Sequence, residues 1–145
     1  GYPEAAIESD LAKRFLTGTS PETSLTQQVI QPVLNPESLK AAKQTLQQIS
    51  VSSEIIDYAT QLVRATREDE HLLSGASPRA TIALLMGARV QAVLEERDFV
   101  TPDDLKRLAH GAMDHRLILH PEFEIEGVSV HDVVAEILNQ IPVPR

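Results

Sequence analysis

The 145-residue sequence contains no cysteine and no tryptophan, and only 3% of its residues are aromatic. Without cysteine there can be no disulfide framework, zinc ribbon or thiol nucleophile. With so few aromatics the core must come from Leu, Ile, Val and Ala, which suits packed helices better than a β-sandwich. No apolar run approaches the length of a membrane span and nothing resembles a signal peptide, so a cytoplasmic protein without membrane insertion is expected. Cations are also scarce. The 13 Lys and Arg against 21 Asp and Glu leave a net charge of −8, which argues against a domain built to hold nucleic acid. The 6 glycines form no phosphate cradle, and neither Gly-x-x-x-x-Gly-Lys nor a Mg²⁺-binding carboxylate pair occurs. The chain by itself is therefore expected to hydrolyse no nucleotide. No metal site is expected either: His110, His115 and His120 recur at intervals of five, which do not align on one helix face.

What is present is ordinary globular material, 42% hydrophobic and 23% charged, enough for one core. Ile7, Leu11 and Phe15 mark a first helix over 3–16, ended by Thr17-Gly18. The run from Thr19 to Gln31 is rich in turn formers and lacks a period, so it reads as a connector. Asn35-Pro36 opens a helix to about Ile49 with Leu39, Ala42, Lys43, Leu46 and Ile49 on its inner side. Ser52 caps the next, whose core face is Ile55, Ile56, Ala59, Leu62 and Val63, with Arg64 and Arg67 at its end. Thr101-Pro102-Asp103-Asp104 combines a cap, a first-turn proline and two first-turn acids ahead of Leu105, Leu108 and Ala109. After Asp114 the runs 116–119 and 123–125 alternate about His120-Pro121-Glu122, predicting a small β-hairpin. Ser129, with Asp132 in the box position, caps a last helix whose Val133, Val134, Ile137 and Leu138 face inward.

The organising stretch is Gly75-Ala76-Ser77-Pro78-Arg79-Ala80. Ser77 suits an N-cap and Pro78 the first helical position, so a long helix starts here and runs to about Glu96. That helix is apolar nearly all round, predicting that it is central and that Leu85 is buried; Gly87 within it suggests a close helix crossing. Arg79 heads the stripe Ala83, Met86, Val90 and Val93. Its charge adds to the free N–H groups and the positive end of the helix dipole, a place that favours an anion such as phosphate. On physics alone, an ion pair with a nearby Glu or a surface-lying side chain is the favoured explanation of Arg79.

These motifs resemble the C-terminal lid of the MoxR-type AAA+ ATPases: Gly75 to Ala80, Ala65-Thr66-Arg67 before it, and the run from Arg97 to Asp104 after it. The resemblance implies an all-α, AAA+ lid-type bundle with a small β-hairpin near the C-terminus. It implies a helix over 1–18 from the junction of core and lid, a connector over 19–34, and the lid over 35–145. The chain opens Gly1-Tyr2-Pro3 without an initiator methionine, which together with the resemblance suggests an excised domain. In such a parent, Arg79 would be the sensor 2 arginine at the γ-phosphate, Gly75, Ala76, Ser77 and Pro78 would lie beside the nucleotide, and Arg67 would be a further candidate. ATP and Mg²⁺ would be bound by the parent and not by this chain alone. The implied partners are its own AAA+ core, neighbouring subunits of a hexameric ring, and proteins carrying a von Willebrand A domain, in a chaperone-like role. The competing expectation is a stand-alone helical protein-interaction module with no nucleotide role.

Overall fold

Apolar spacing of three and four residues builds helices along the whole chain, and capping residues set where most of them begin. The computed structural model describes residues 1–18, 20–27 and 31–144 and divides into two units, Gly1–Lys40 and Ala41–Arg145. Thr19, residues 28–30 within the expected connector, and Arg145 at the end of the expected lid lie outside the described residues.

The first unit holds helices α1 (Ala5–Leu16) and α2 (Pro21–Thr26) and the start of α3 (Pro36–Gln48). α1 carries the expected stripe, but Ile7, Leu11 and Phe15 are all exposed. α2 corrects the sequence reading of a connector without secondary structure. Ser20 accepts from the Thr23 N–H at 3.1 Å and Pro21 takes the first helical position, a local start signal too short to show a period. α3 begins as expected, with Asn35 Oδ1 accepting from the Ser38 N–H at 2.7 Å. Its predicted inner side is a further correction: α3 buries no residue, and only Ile49, just beyond it, enters the core.

The second unit packs α4 (Ser53–Glu68), α5 (Pro78–Leu94), α6 (Pro102–Met113) and α8 (Val130–Gln140) about one core. α4 contributes Ile55, Tyr58, Ala59, Leu62 and Val63, and α6 contributes Leu105, Ala109 and Met113. Val133, Val134 and Ile137 come from α8, as its pattern predicts. α5 buries only the narrow row Ala80, Leu84, Ala88 and Ala92. Three alanines in that row let neighbouring backbones come close. The crossing expected at Gly87 is with α6, since a Cβ there would stand 3.1 Å from Leu108 Cδ1. α5 ends in paired hydrogen bonds, Arg97 N–H to Ala92 O and Glu96 N–H to Val93 O, with Glu96 in the left-handed position at φ 57°.

The outer faces of α5 correct the reading of a helix buried all round. Ile82, Met86 and Val90 are exposed and Leu85 is only half-buried. Ile82, Leu85 and Met86 instead form a shallow groove with Val51, Ile56 and Arg89, about 210 Å³ in volume. An all-apolar sequence cannot distinguish a central helix from one with an exposed apolar face.

A two-stranded antiparallel sheet accompanies the helices, made of β1 (Leu72–Ser74) and β2 (Ile118–Leu119). Leu72 pairs with Leu119 and Ser74 with Ile118. The small sheet is as expected in kind, but the partner of 118–119 is not 123–125. Those residues belong to helix α7 (Pro121–Ile125), where Pro121 fits a first turn and Glu122 and Glu124 complement the dipole. Phe123 and Ile125 alternate over too few residues to fix a period.

Candidate functional site

The loop that delivers Arg79 is moulded onto the end of α4. Thr66, fully buried, donates from its hydroxyl to Val63 O at 2.7 Å and accepts from the Ala76 N–H at 2.9 Å. Arg67 donates through Nε to Ala76 O at 2.7 Å. Both polar groups of the Ala76 backbone are thereby satisfied by two consecutive residues of one helix, and the Ala76 side chain is buried. Gly75 approaches still more closely: a Cβ there would stand 2.4 Å from Thr66 O, 2.6 Å from Thr66 C and 2.7 Å from Arg67 Cα. Only glycine permits that contact.

The residues expected at a nucleotide therefore separate into two groups. Gly75, Ala76 and Arg67 pack the loop against α4, while Ser77, Pro78 and Arg79 are exposed at the head of α5. Ser77 has the extended backbone of an N-cap, φ −78° and ψ 167°, and its carbonyl accepts from the Ala80 N–H at 2.9 Å. Its hydroxyl makes no capping bond, which corrects the expectation that the side chain caps this helix. Pro78 at the first position already removes one of the N–H groups needing a cap. Arg79 forms no ion pair among the described residues, so the ion-pair explanation of this arginine finds no partner. Arg79 is the second residue of a 17-residue helix, in the first turn, at the positive end of the helix dipole.

The other shared motif has a structural task. Arg97 grips Asp104 in a two-pronged pair, Nη2 to Oδ1 at 2.6 Å and Nη1 to Oδ2 at 2.9 Å. Asp104 Oδ2 also accepts from the N–H and hydroxyl of Thr101, at 2.8 and 2.9 Å. Asp104 is buried. Burial pushes its carboxyl up, but the hydrogen bonds from Arg97 and Thr101 together outweigh that and hold it below the usual carboxylate range. Asp104 in turn holds the Arg97 guanidinium above its ordinary value. Ser50 joins the same corner by hydrogen bonds to Asp98 O and from the Val100 N–H. The sequence showed Asp104 only as a first-turn acid; its pairing with Arg97 depends on the sharp turn after α5.

The histidines at intervals of five do not come together in the fold, as their spacing predicts. His115 and His120 do not join His110; Asp114 and His131 do. His110 Nδ1 lies 3.3 Å from Asp114 Oδ1, and His131 Nδ1 lies 3.2 Å from Asp114 Oδ2. The i, i+4 spacing of His110 and Asp114 was the available signal, while His131 comes from a separate helix and is brought in only by folding.

Residues 64–137 match the AAA lid domain family. The chain is 33% identical to the uncharacterised protein YeaC of Bacillus subtilis over 99% of its own length and 43% of that protein. It is 26% identical to the chaperone MoxR1 of Mycobacterium tuberculosis over 100% of its length and 39% of that protein. With the protein MoxR of Methylorubrum extorquens the identity is 35%, over 52% of the chain and 22% of the relative. The crystal structure of an ATPase candidate from Cytophaga hutchinsonii superposes with a TM-score of 0.75 at 25% identity, covering 100% of this chain and 45% of that one. The chain thus spans less than half the length of the two curated relatives that match all or nearly all of it.

Proposed function

The chain belongs to the AAA lid domain family, in the MoxR branch of AAA+ proteins, and on that premise we propose that it closes over ATP held by a core domain, with Arg79 as the sensor 2 arginine. The observation that carries this reading is an exposed arginine without an ion-pair partner among the described residues, at the head of a helix whose start is locked to α4 by Thr66, Arg67 and Gly75. A rigid mount matters because a guanidinium stabilises developing phosphate charge only when it is already in position. In this reading Arg67 acts as a positioning residue, holding the Ala76 carbonyl, and Ser77 and Pro78 set where the helix begins. ATP and Mg²⁺ would be bound by the core, whose phosphate loop this chain does not contain. Movement of the lid during the hydrolysis cycle would transmit work to partner proteins of a cytoplasmic, ring-forming ATPase in a chaperone-like role, with von Willebrand A domain proteins as candidates.

The groove of Ile56, Ile82, Leu85 and Met86 favours a second reading, a protein-interaction module without a nucleotide role. The two readings part in a structure of the complete protein with a non-hydrolysable ATP analogue. The lid reading expects an Arg79 nitrogen about 2.7–2.9 Å from a γ-phosphate oxygen, the distance of a charge-assisted hydrogen bond. A guanidinium turned away from the nucleotide, with a partner segment in the groove, supports the second.

A further inference from the structure

Two imidazoles and a carboxylate from different parts of the chain converge at one corner of the second unit. His110 lies in the last turn of α6, Asp114 follows directly after that helix, and His131 lies in the first turn of α8. The donor atoms all fall within 4.8 Å of one another. Each Nδ1 addresses its own oxygen of the same carboxylate, at 3.3 and 3.2 Å. Those separations exceed the usual N–H···O distance of about 2.9–3.0 Å. The donors of a tetrahedral ion with bonds of about 2.0–2.1 Å stand about 3.3 Å apart; each imidazole has that spacing to a different oxygen of Asp114, so one ion shared by all three residues needs a small shift of a ring.

We propose that His110, Asp114 and His131 form a binding site for a divalent transition-metal ion of the zinc class, independent of any nucleotide function. Two nitrogen donors and a carboxylate suit Zn²⁺, Co²⁺ or Ni²⁺, whereas Mg²⁺ and Ca²⁺ prefer all-oxygen shells. Water completes the coordination, since the side chains of His110 and Asp114 are 29% and 30% exposed and that of His131 is 66% exposed. The two rings now stack at 3.8 Å with 23° between their planes. Coordination needs the His131 ring to rotate off that stack, and that side chain is 66% exposed. The C-terminal end of α6 favours a cation, as its carbonyls carry the negative end of the dipole, while the first turn of α8, which carries His131, opposes it. The ion would tie α6 to α8, so that metal binding is linked to the stability of the last helix.

The test uses the 145-residue chain with Co²⁺ and Zn²⁺. One Co²⁺ per chain should bind with the visible absorption of tetrahedral cobalt, and Zn²⁺ should displace it and raise the melting temperature. His131→Ala and Asp114→Asn should each weaken binding about tenfold or more, while His120→Ala leaves it unchanged. Because His131 is exposed, its replacement is not expected to disturb folding, and melting without metal checks this. No visible band, equal binding by the parent and His131→Ala, or displacement of Co²⁺ by Mg²⁺ as readily as by Zn²⁺ would each overturn the assignment.

Discussion

Gly75→Ala is expected to destabilise the second unit by about 3–5 kcal/mol. The added methyl would lie 2.4–2.7 Å from backbone atoms of Thr66 and Arg67, and neither helix backbone nor loop can yield as a flexible side chain would. Forcing a core apart in this way costs about 1–3 kcal/mol. Relief by shifting the loop would stretch the bonds from Ala76 N–H to Thr66 and from Arg67 to Ala76 O, each worth about 1 kcal/mol or more. Gly87→Ala provides the contrast. Its methyl would meet only the Cδ1 of Leu108 at 3.1 Å, a side-chain end that can move, and alanine gains about 1 kcal/mol in helix propensity. Urea denaturation should therefore separate the two glycines, with a much lower midpoint for Gly75→Ala and little change for Gly87→Ala. Equal midpoints would mean that the loop is not seated on α4 as described.

Asp104→Ala is expected to cost about 3 kcal/mol. It strips the acceptor from the Arg97 guanidinium and from the Thr101 N–H and hydroxyl at once, and losing one partner of a buried pair is costlier than the pair is worth. The loss stays at the lower end of the usual range because Arg97 is 21% exposed and keeps Glu95 and Phe99 O as acceptors. Asp103→Ala next door is exposed and should lose only a dipole contribution of about 0.3–1 kcal/mol. The pair also makes stability depend on pH. The unfolded Asp104 titrates near 3.9 and the folded one lower. Its contribution is therefore fully present above about pH 4 and is lost as pH falls through the folded-state value. Acid titration followed by circular dichroism should show a shallower acid limb in Asp104→Ala. An unchanged limb would place the pairing outside the folding equilibrium.

Local chemistry made most of this architecture readable. Ser52, Thr101 with Pro102, and Ser129 with Asp132 mark helix starts through contacts three residues long, and α4, α6 and α8 begin where they predict. The readings that failed depended on what lies across the fold. α5 is apolar on every side, so nothing in its pattern separates the buried row of Ala80 and Leu84 from the exposed Ile82 and Met86. The strand at Ile118 takes a partner 44 positions earlier, at Ser74, which no local alternation could indicate. At the candidate site the motif residues were visible, but their division of labour was not. The bonds that Ala76 makes with Thr66 and Arg67 reach residues ten and nine positions away, and they leave Arg79 exposed at the head of α5 with Ser77 and Pro78.

The measurement that bears most directly on that division is the rate of ATP hydrolysis by the complete protein carrying Arg79→Ala, set beside the melting of the lid with the same substitution. The proposal predicts a rate at least about tenfold lower, with Arg79→Lys recovering only part of it because lysine lacks the planar fork. Lid stability should stay within about 1 kcal/mol of the parent, since an exposed first-turn arginine supports little packing. A rate that does not change, or a rate and a melting temperature that fall together, would contradict the assignment of Arg79 to the nucleotide.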